Sequence, residues 1–434
     1  MKKLCYFMLV LLPATGFSQG ILGKFKQKVK DRIEQRTEEG MDKVLDKTES
    51  KISEGKKKNK SKEDGEVPAT KQESVPVAGQ PSFKSYSRYD FIPGEQVVYA
   101  EDFSQDVIGE FPLKWSTNNH GETQTIDSRE GKWMRMYQSG RFISPYIKRL
   151  PENFTAEFDV VMNVTSADIA MAYPELLFKL VSMPPGDERA KNYLIDFTGI
   201  TTATVTIMPS VDVGSIVNMR VSQKNDVDYF NNPSKEVKAL DHVNGRLLHI
   251  AIWVQKERYR LWINGEKVYD IPQAIPANAS FNRFELETGI SSYEDERVGY
   301  FISNIKFAQG APDMRSKLLT EGKLVTTGIL FDVNSDRIKP ESTGVLQEIA
   351  KVLKENPSVR VMIVGHTDSD GDVEKNKTLS KQRSAAVKQA LSAQFGIEAN
   401  RMETDGKGSS QPATENNSKE GKAQNRRVEF IKQQ

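Results

Sequence analysis

The sequence predicts a multidomain chain: an N-terminal charged helix and linker, an antiparallel β-sandwich of jelly-roll-like type, and a C-terminal α/β sandwich. Three observations carry that reading. A thin apolar stripe runs through a highly charged N-terminal segment, short alternating runs separated by turns fill the middle, and strand and helix periods alternate after residue 317. At 434 residues the chain is also too long for one ordinary core.

The first segment, MKKLCYFMLVLLPATGFSQG, has a basic start, an apolar run from Leu4 to Leu12, then small and polar residues. That is the three-part layout of a secretory signal peptide, expected over residues 1–19. The run is shorter than the ~20 residues a membrane-spanning helix needs. The single cysteine, Cys5, stands at the front of the run, whereas a lipoprotein cysteine follows it. The mature chain is therefore expected to be exported, without thiol or disulfide.

Residues 20–59 read as a charged amphipathic helix, with Phe25, Val29, Ile33, Met41, Val44, Leu45 and Ile52 on a stripe that Thr37 breaks. Such a helix suits an anionic membrane surface, a partner helix or a solvated spacer. Residues 60–93 carry Gly65, Pro68, Pro76, Gly79 and Pro81 among polar residues and read as a flexible linker. With 61 Lys and Arg against 59 Asp and Glu, global charge gives no reason to expect a nucleic acid partner.

Residues 94–311 give the β-sandwich. LLHIAIWV and YRLWI are two strands joined by a short polar turn, and Asn264-Gly265 makes a tight turn into EKVYDI. TAEFDVVMNV, YLIDF, TATVTIM and GYFISNIKFA are further strands. EDFSQDVIGEFPLKW, RLWINGEKV and YFISNIKFA, in that order, resemble the concanavalin-like (laminin-G-like) sandwich over about half the chain. Some sandwiches of that kind are glycoside hydrolases, whose two carboxylates face one cleft ~5–5.5 Å or ~6.5–9.5 Å apart. Glu157 and Asp159 have the i, i+2 spacing to share a face, but AEFDV lacks the third carboxylate of the enzymes' denser motif. Trp115, Trp133 and Tyr137 could meet a glycan from an exposed face, although the core is the commoner place for a tryptophan. A porin barrel would need ~9–11-residue strands with lipid-facing apolar bands. The runs here look shorter and less regular, and the mean hydropathy is -0.55.

Residues 317–434 form the last domain. LVTTGILFDV is a strand, Pro340 opens a helix whose buried stripe is Leu346, Ile349, Ala350 and Leu353, and Asn356-Pro357 stops it. VRVMIVGH is apolar at nearly every position, as a central strand covered on both faces would be. A second helix runs from about Lys377 to Gln394. METDGKG reads as strand and turn, SSQPATENNSKEGKAQN as a polar loop, and RRVEFIK as the closing strand of a mixed sheet. Counted by fours, Leu379, Arg383, Val387, Leu391 and Phe395 share one side of the second helix, so a cation interrupts an apolar stripe. Such local violations concentrate at functional sites.

FDVNSDRIKP, GHTDSDG, NKTLSKQRSAAV and the closing GKGSSQP and NRRVEF strongly resemble, in order, the C-terminal peptidoglycan-binding domain of the OmpA family, shared with Pal and MotB. The resemblance covers the last quarter of the chain. Ser384 stands where the family helix usually has alanine. The resemblance implies an α/β sandwich that takes the diaminopimelate of the peptidoglycan stem peptide. It puts the ligand's ammonium on Asp368 and its carboxylate on Arg383. Asn334, Asn376 and Arg426 complete the rim, with Leu379 behind.

The residues themselves suit that chemistry. A zwitterion needs a fixed anion and a fixed cation a few ångströms apart, and arginine's fork fits a carboxylate better than a lysine does. Asp368 lies just past a central strand's end, where α/β sheets place ligands. The competing reading is a structural salt bridge between Asp368 and Arg383. Asp368, Asp370 and Asp372 fail the calcium-loop spacing, because Gly371 falls at the fourth loop position rather than the sixth. His366 has no companion at metal-ligand spacing, so no metal or cofactor is expected.

The expectation is a non-catalytic cell-envelope protein of the periplasm that ties the outer membrane or periplasmic partners to the wall. The alternative is an exported protein that binds or hydrolyses a glycan through its sandwich, with the last domain as wall anchor.

Overall fold

The computed structural model describes residues 89–127, 129–165, 173–183, 194, 200–210, 214–223, 227–310 and 313–433. The expected signal peptide, the charged helix and residues 60–88 of the linker lie outside these, as does YLIDF apart from Leu194. All the described residues fall in one compact unit, Lys84–Gln434.

Alternating burial builds the middle of the chain into two facing sheets, each of eight strands among the described residues. One holds β1 (Gln96–Glu101), β3 (Gly121–Ile126), β4 (Arg129–Met136), β6 (Asn153–Val164), β12 (Leu247–Gln255), β13 (Arg258–Ile263), β14 (Glu266–Ile271) and β16 (Val298–Gln309). The other holds β2 (Ser116–Thr117), β5 (Arg141–Ile143), β7 (Leu176–Ser182), β8 (Thr201–Met208), β9 (Ile216–Gln223), β10 (Val227–Asn231), β11 (Lys235–Glu236) and β15 (Arg283–Thr288). The expected hairpin is present: Asn264 and Gly265 both take positive φ, 48° and 81°, as a type I′ turn demands. Phe158 of β6 packs edge-on against Phe178 at 5.3 Å and tilted against Phe284 at 5.0 Å, both in the opposite sheet, which ties the two layers together. Trp115 and Trp133 are buried, and the half-buried Tyr137 donates its hydroxyl to Glu122 at 2.8 Å.

The other face of β6 carries Thr155, Glu157 and Asp159, and it is not open to solvent. Glu157 and Asp159 are 4% and 5% exposed, so the pair faces no open cleft. Tyr89 to Gly94 lie over this face. Phe91 packs edge-on against Trp262 at 5.3 Å, Asp90 accepts from the Trp262 indole at 3.1 Å, and the Gly94 N–H donates to Thr155 Oγ1 at 2.9 Å. Residues 89–93, expected in the flexible linker, are thus part of the fold, because Tyr89 and Phe91 cover two tryptophans that would otherwise face water.

The last domain is a four-stranded sheet in the order β17 (Lys323–Thr326), β20 (Val428–Gln433), β18 (Arg360–His366), β19 (Met402–Gly408). β18 and β19 run parallel and the other pairs antiparallel, so the sheet is mixed and β18 is interior. Helices α1 (Met314–Leu319), α2 (Thr343–Glu355), α3 (Val373–Phe395) and α4 (Lys419–Asn425) complete it. The first strand ends at Thr326, short of LVTTGILFDV, and METDGKG is strand throughout. α4 forms inside the stretch expected as polar loop. Its Ser418 cap accepts from the Gly421 N–H at 3.0 Å, but a seven-residue helix with one apolar side chain, Ala423, has no periodicity to betray it.

α3 corrects the stripe read from the sequence. Its buried residues are Ser380, Ser384, Val387, Ala390 and Leu391, while Leu379, Arg383 and Phe395 are half-buried on the shoulder. The small serines let the helix press onto the sheet: a Cβ on Gly365 would lie 2.3 Å from Ser380 O, and one on Gly406 2.3 Å from Lys381 N.

Candidate functional site

Four chain segments converge beyond the C-terminal end of β18. Asp368 follows the strand by two residues and is 8% exposed. Arg383 comes from near the middle of α3, and the turn Asp332–Arg337 faces it. Arg426 stands at the C-cap of α4, just before β20.

Arg383 is held by backbone. Its Nε donates to Ser335 O at 2.9 Å and its Nη2 to Asp332 O at 3.1 Å, and the guanidinium lies 4.9 Å from the Phe331 ring centre. Burial lowers its pKa from the ordinary arginine value; the Asp368 carboxylate opposes that and Arg426 adds to it. The three charges therefore act on one another, and Arg383 stays cationic.

Asp368 and Arg383 are not each other's salt bridge. Asp368 Oδ2 accepts from Arg426 Nη1 at 2.6 Å, and Oδ1 accepts from the Asp370 N–H at 3.2 Å. Arg426 is 45% exposed in its side chain, so the ion pair opens to solvent on one side. The half-buried cation and the buried anion are held by different partners.

The remaining expected residues fall around this pair. Asn334 is exposed at the tip of the facing turn with φ 51°, a left-handed conformation asparagine tolerates. Asn376 donates Nδ2 to Asp370 O at 2.7 Å and so fixes the loop that carries Asp368. Leu379 is half-buried one turn before Arg383. Asp370 pairs with Lys422 of α4 at 2.7 Å, and Asp372 caps α3 by accepting from the Lys375 N–H at 2.9 Å. Each of the three loop carboxylates has its own partner, a different arrangement from a cation loop.

Sequence reasoning missed the Asp332 and Ser335 carbonyls that pin Arg383, as well as Lys422. Main-chain acceptors leave no residue signature, and Lys422 lies on the helix that was not foreseen. The resemblance puts Arg426, not its neighbour Arg427, at the rim. Arg427 is buried, and donates to Glu429 Oε1 at 2.9 Å and to Gln411 O at 3.0 Å.

The comparisons with known proteins fall on this part of the chain. Residues 330–426 match the model of the OmpA family. The probable lipoprotein YiaD of Escherichia coli is 45% identical over 102 residues, which are 24% of this chain and 46% of that protein. The outer-membrane lipoprotein YfiB of Pseudomonas aeruginosa is 36% identical over 107 residues, 25% of this chain and 63% of that one. The chain thus spans less than two thirds of the length of either relative. Among solved structures, the peptidoglycan-associated lipoprotein from Burkholderia pseudomallei is 32% identical, with a TM-score of 0.23, over 24% of this chain and 88% of the other. The cell wall anchor of the T6SS from Pseudomonas aeruginosa is 30% identical, with a TM-score of 0.24, over 26% and 81%. From the turn that holds Arg383 to the arginine that meets Asp368, the C-terminal part of this chain is an OmpA family domain.

Proposed function

We propose that this chain is a non-catalytic protein of the cell envelope that binds peptidoglycan through its C-terminal domain. Its ligand is the diaminopimelate of the stem peptide. The relatives named as probable lipoprotein YiaD and outer-membrane lipoprotein YfiB support the envelope setting. The observation that carries the site is the split arrangement of charge. Arg383 is pinned by two carbonyls and so presents a fixed cation, while Asp368 is reached by an exposed arginine that a ligand can replace. An amino acid end with ammonium and carboxylate matches both walls: the ammonium takes the place of Arg426 on Asp368, and the carboxylate lies against Arg383 with Arg426 beside it.

Binding of this kind needs no chemistry at the site, and the domain's role is to hold the wall while the rest of the chain reaches outer-membrane or periplasmic partners. The test is co-sedimentation of the full chain with isolated sacculi. Asp368→Ala and Arg383→Ala are each expected to abolish it. Undiminished sedimentation of both variants would remove the site from this assignment.

A further inference from the structure

The short helix α4 belongs to two structures at once. One side of it closes an open sheet edge of the sandwich. β1 pairs with β16 along one edge only, which leaves backbone groups on the other without strand partners. α4 supplies them from side chains. Gln424 Oε1 accepts from the Val97 N–H at 2.8 Å, Gln424 Nε2 donates to Glu95 O at 3.1 Å, and Glu420 Oε1 accepts from the Ala100 N–H at 3.2 Å. Ala423 packs with Val97 and Ala100 in a small apolar cluster. At the start of the helix Lys419 forms an ion pair with Glu101 and lies 3.5 Å from Asp106.

The other side of α4 faces the charged site. Lys422 holds Asp370 at 2.7 Å, and Arg426, the helix C-cap, holds Asp368 at 2.6 Å. The loop that leaves β1 reaches the same place: Asp102 carries a depressed pKa, with Ser104, Lys419 and Arg426 together outweighing the effect of its burial. Within its own domain the helix is held by the fully buried Asn425, which accepts from the Ala413 N–H at 2.8 Å and donates to Thr414 O at 2.8 Å, and the contacts with β1 add a second anchor.

We propose that the sandwich is a working part of the wall-binding site, because the edge of β1 positions Arg426 through Gln424, Glu420 and Lys419. These three are positioning residues, and seating α4 on β1 is energetically linked to ligand binding. The inference rests on the peptidoglycan reading of the site and adds a contribution from the sandwich to it. Its consequence is that any partner that grips the β1 edge will weaken attachment to the wall.

A double-mutant cycle on the full chain tests it, read as affinity for a soluble diaminopimelate-containing muropeptide. Gln424→Ala and Glu101→Gln are each expected to weaken binding about tenfold, with the unfolding midpoint of the sandwich little changed. In an Arg426→Ala background the same two substitutions should cost nothing further, because the group they position is gone. Full affinity in Gln424→Ala and Glu101→Gln, or equal losses with and without Arg426, would overturn the coupling. Asp368→Ala measured alongside separates the two claims. If it binds as the unaltered chain does, the ligand reading fails; if it loses binding while Gln424→Ala does not, only the coupling fails.

Discussion

Arg383 shows how much of a site one side chain's surroundings decide. From sequence it is a cation on an apolar stripe; in the fold it sits on the helix shoulder with Nε and Nη2 spent on two carbonyls of the Asp332–Arg337 turn. A lysine could keep the charge but not both bonds or the contact with Phe331. Hydrogen bonds from charged groups contribute about 1.5–3 kcal/mol each. Arg383→Lys is therefore expected to weaken sacculus binding tenfold or more, read by co-sedimentation across protein concentration. Wild-type affinity in that variant would mean that charge alone suffices. The neighbouring arginines make a related point: Arg426 serves the site and Arg427 the sheet. They have the same chemistry, but one stands at a helix cap and the other leads into the strand, which separates their roles.

Among the elements, α3 depends on close approach more than on a greasy face. Ser380 and Ser384 are fully buried against β18 and β19, where Gly365 and Gly406 leave no room for a side chain. The obstacle at Gly365 is backbone, Ser380 O at 2.3 Å, which cannot swing aside. Gly365→Ala should force the helix outward, at a cost of about 1–3 kcal/mol for overpacking, and so lower the melting temperature by several degrees. Because α3 carries Arg383, sacculus binding should fall with it. An unchanged melting temperature would show that helix and strand stand farther apart in solution. The apolar periods of β6, β12 and α2 were legible in the sequence because each turns one continuous apolar face into a core. The serine face of α3 was not, since small polar residues carry no hydrophobic period.

For the whole molecule, the buried charges under residues 89–94 set a pH dependence. His249 Nδ1 lies 2.8 Å from Asp159 Oδ1, Asn304 donates to Asp159 Oδ2 at 2.8 Å, and Lys306 holds Glu157 at 2.6 Å. Burial disfavours charge on both His249 and Asp159, but their mutual contact outweighs it. The histidine pKa is raised and the aspartate's lowered. The raised histidine stabilises the fold fully below its unfolded pKa of ~6.5, and that contribution is lost as pH climbs through the folded value. The lowered aspartate contributes above its unfolded pKa of ~3.9, and that contribution is lost as pH falls through the folded value. Both act together between about pH 4 and 6.5. Urea unfolding midpoints should therefore decline from pH 6 toward pH 9, and His249→Gln should flatten the decline. An equal slope in that variant would assign the pH dependence to other groups.

The sequence alone carried the hairpin at Asn264-Gly265, the interior strand VRVMIVGH and the motifs that point to Asp368 and Arg383 as candidates. These are local matters of period, turn chemistry and motif, which a chain carries in its order. Tertiary structure alone decided that residues 89–93 belong to the fold, that Glu157 and Asp159 are shut away, and that Asp368 meets Arg426 rather than Arg383. It also decided that α4 exists and bridges the sandwich to the site. Each of these depends on groups distant in the chain meeting across a surface, where burial and charge are set by neighbours that no local pattern names.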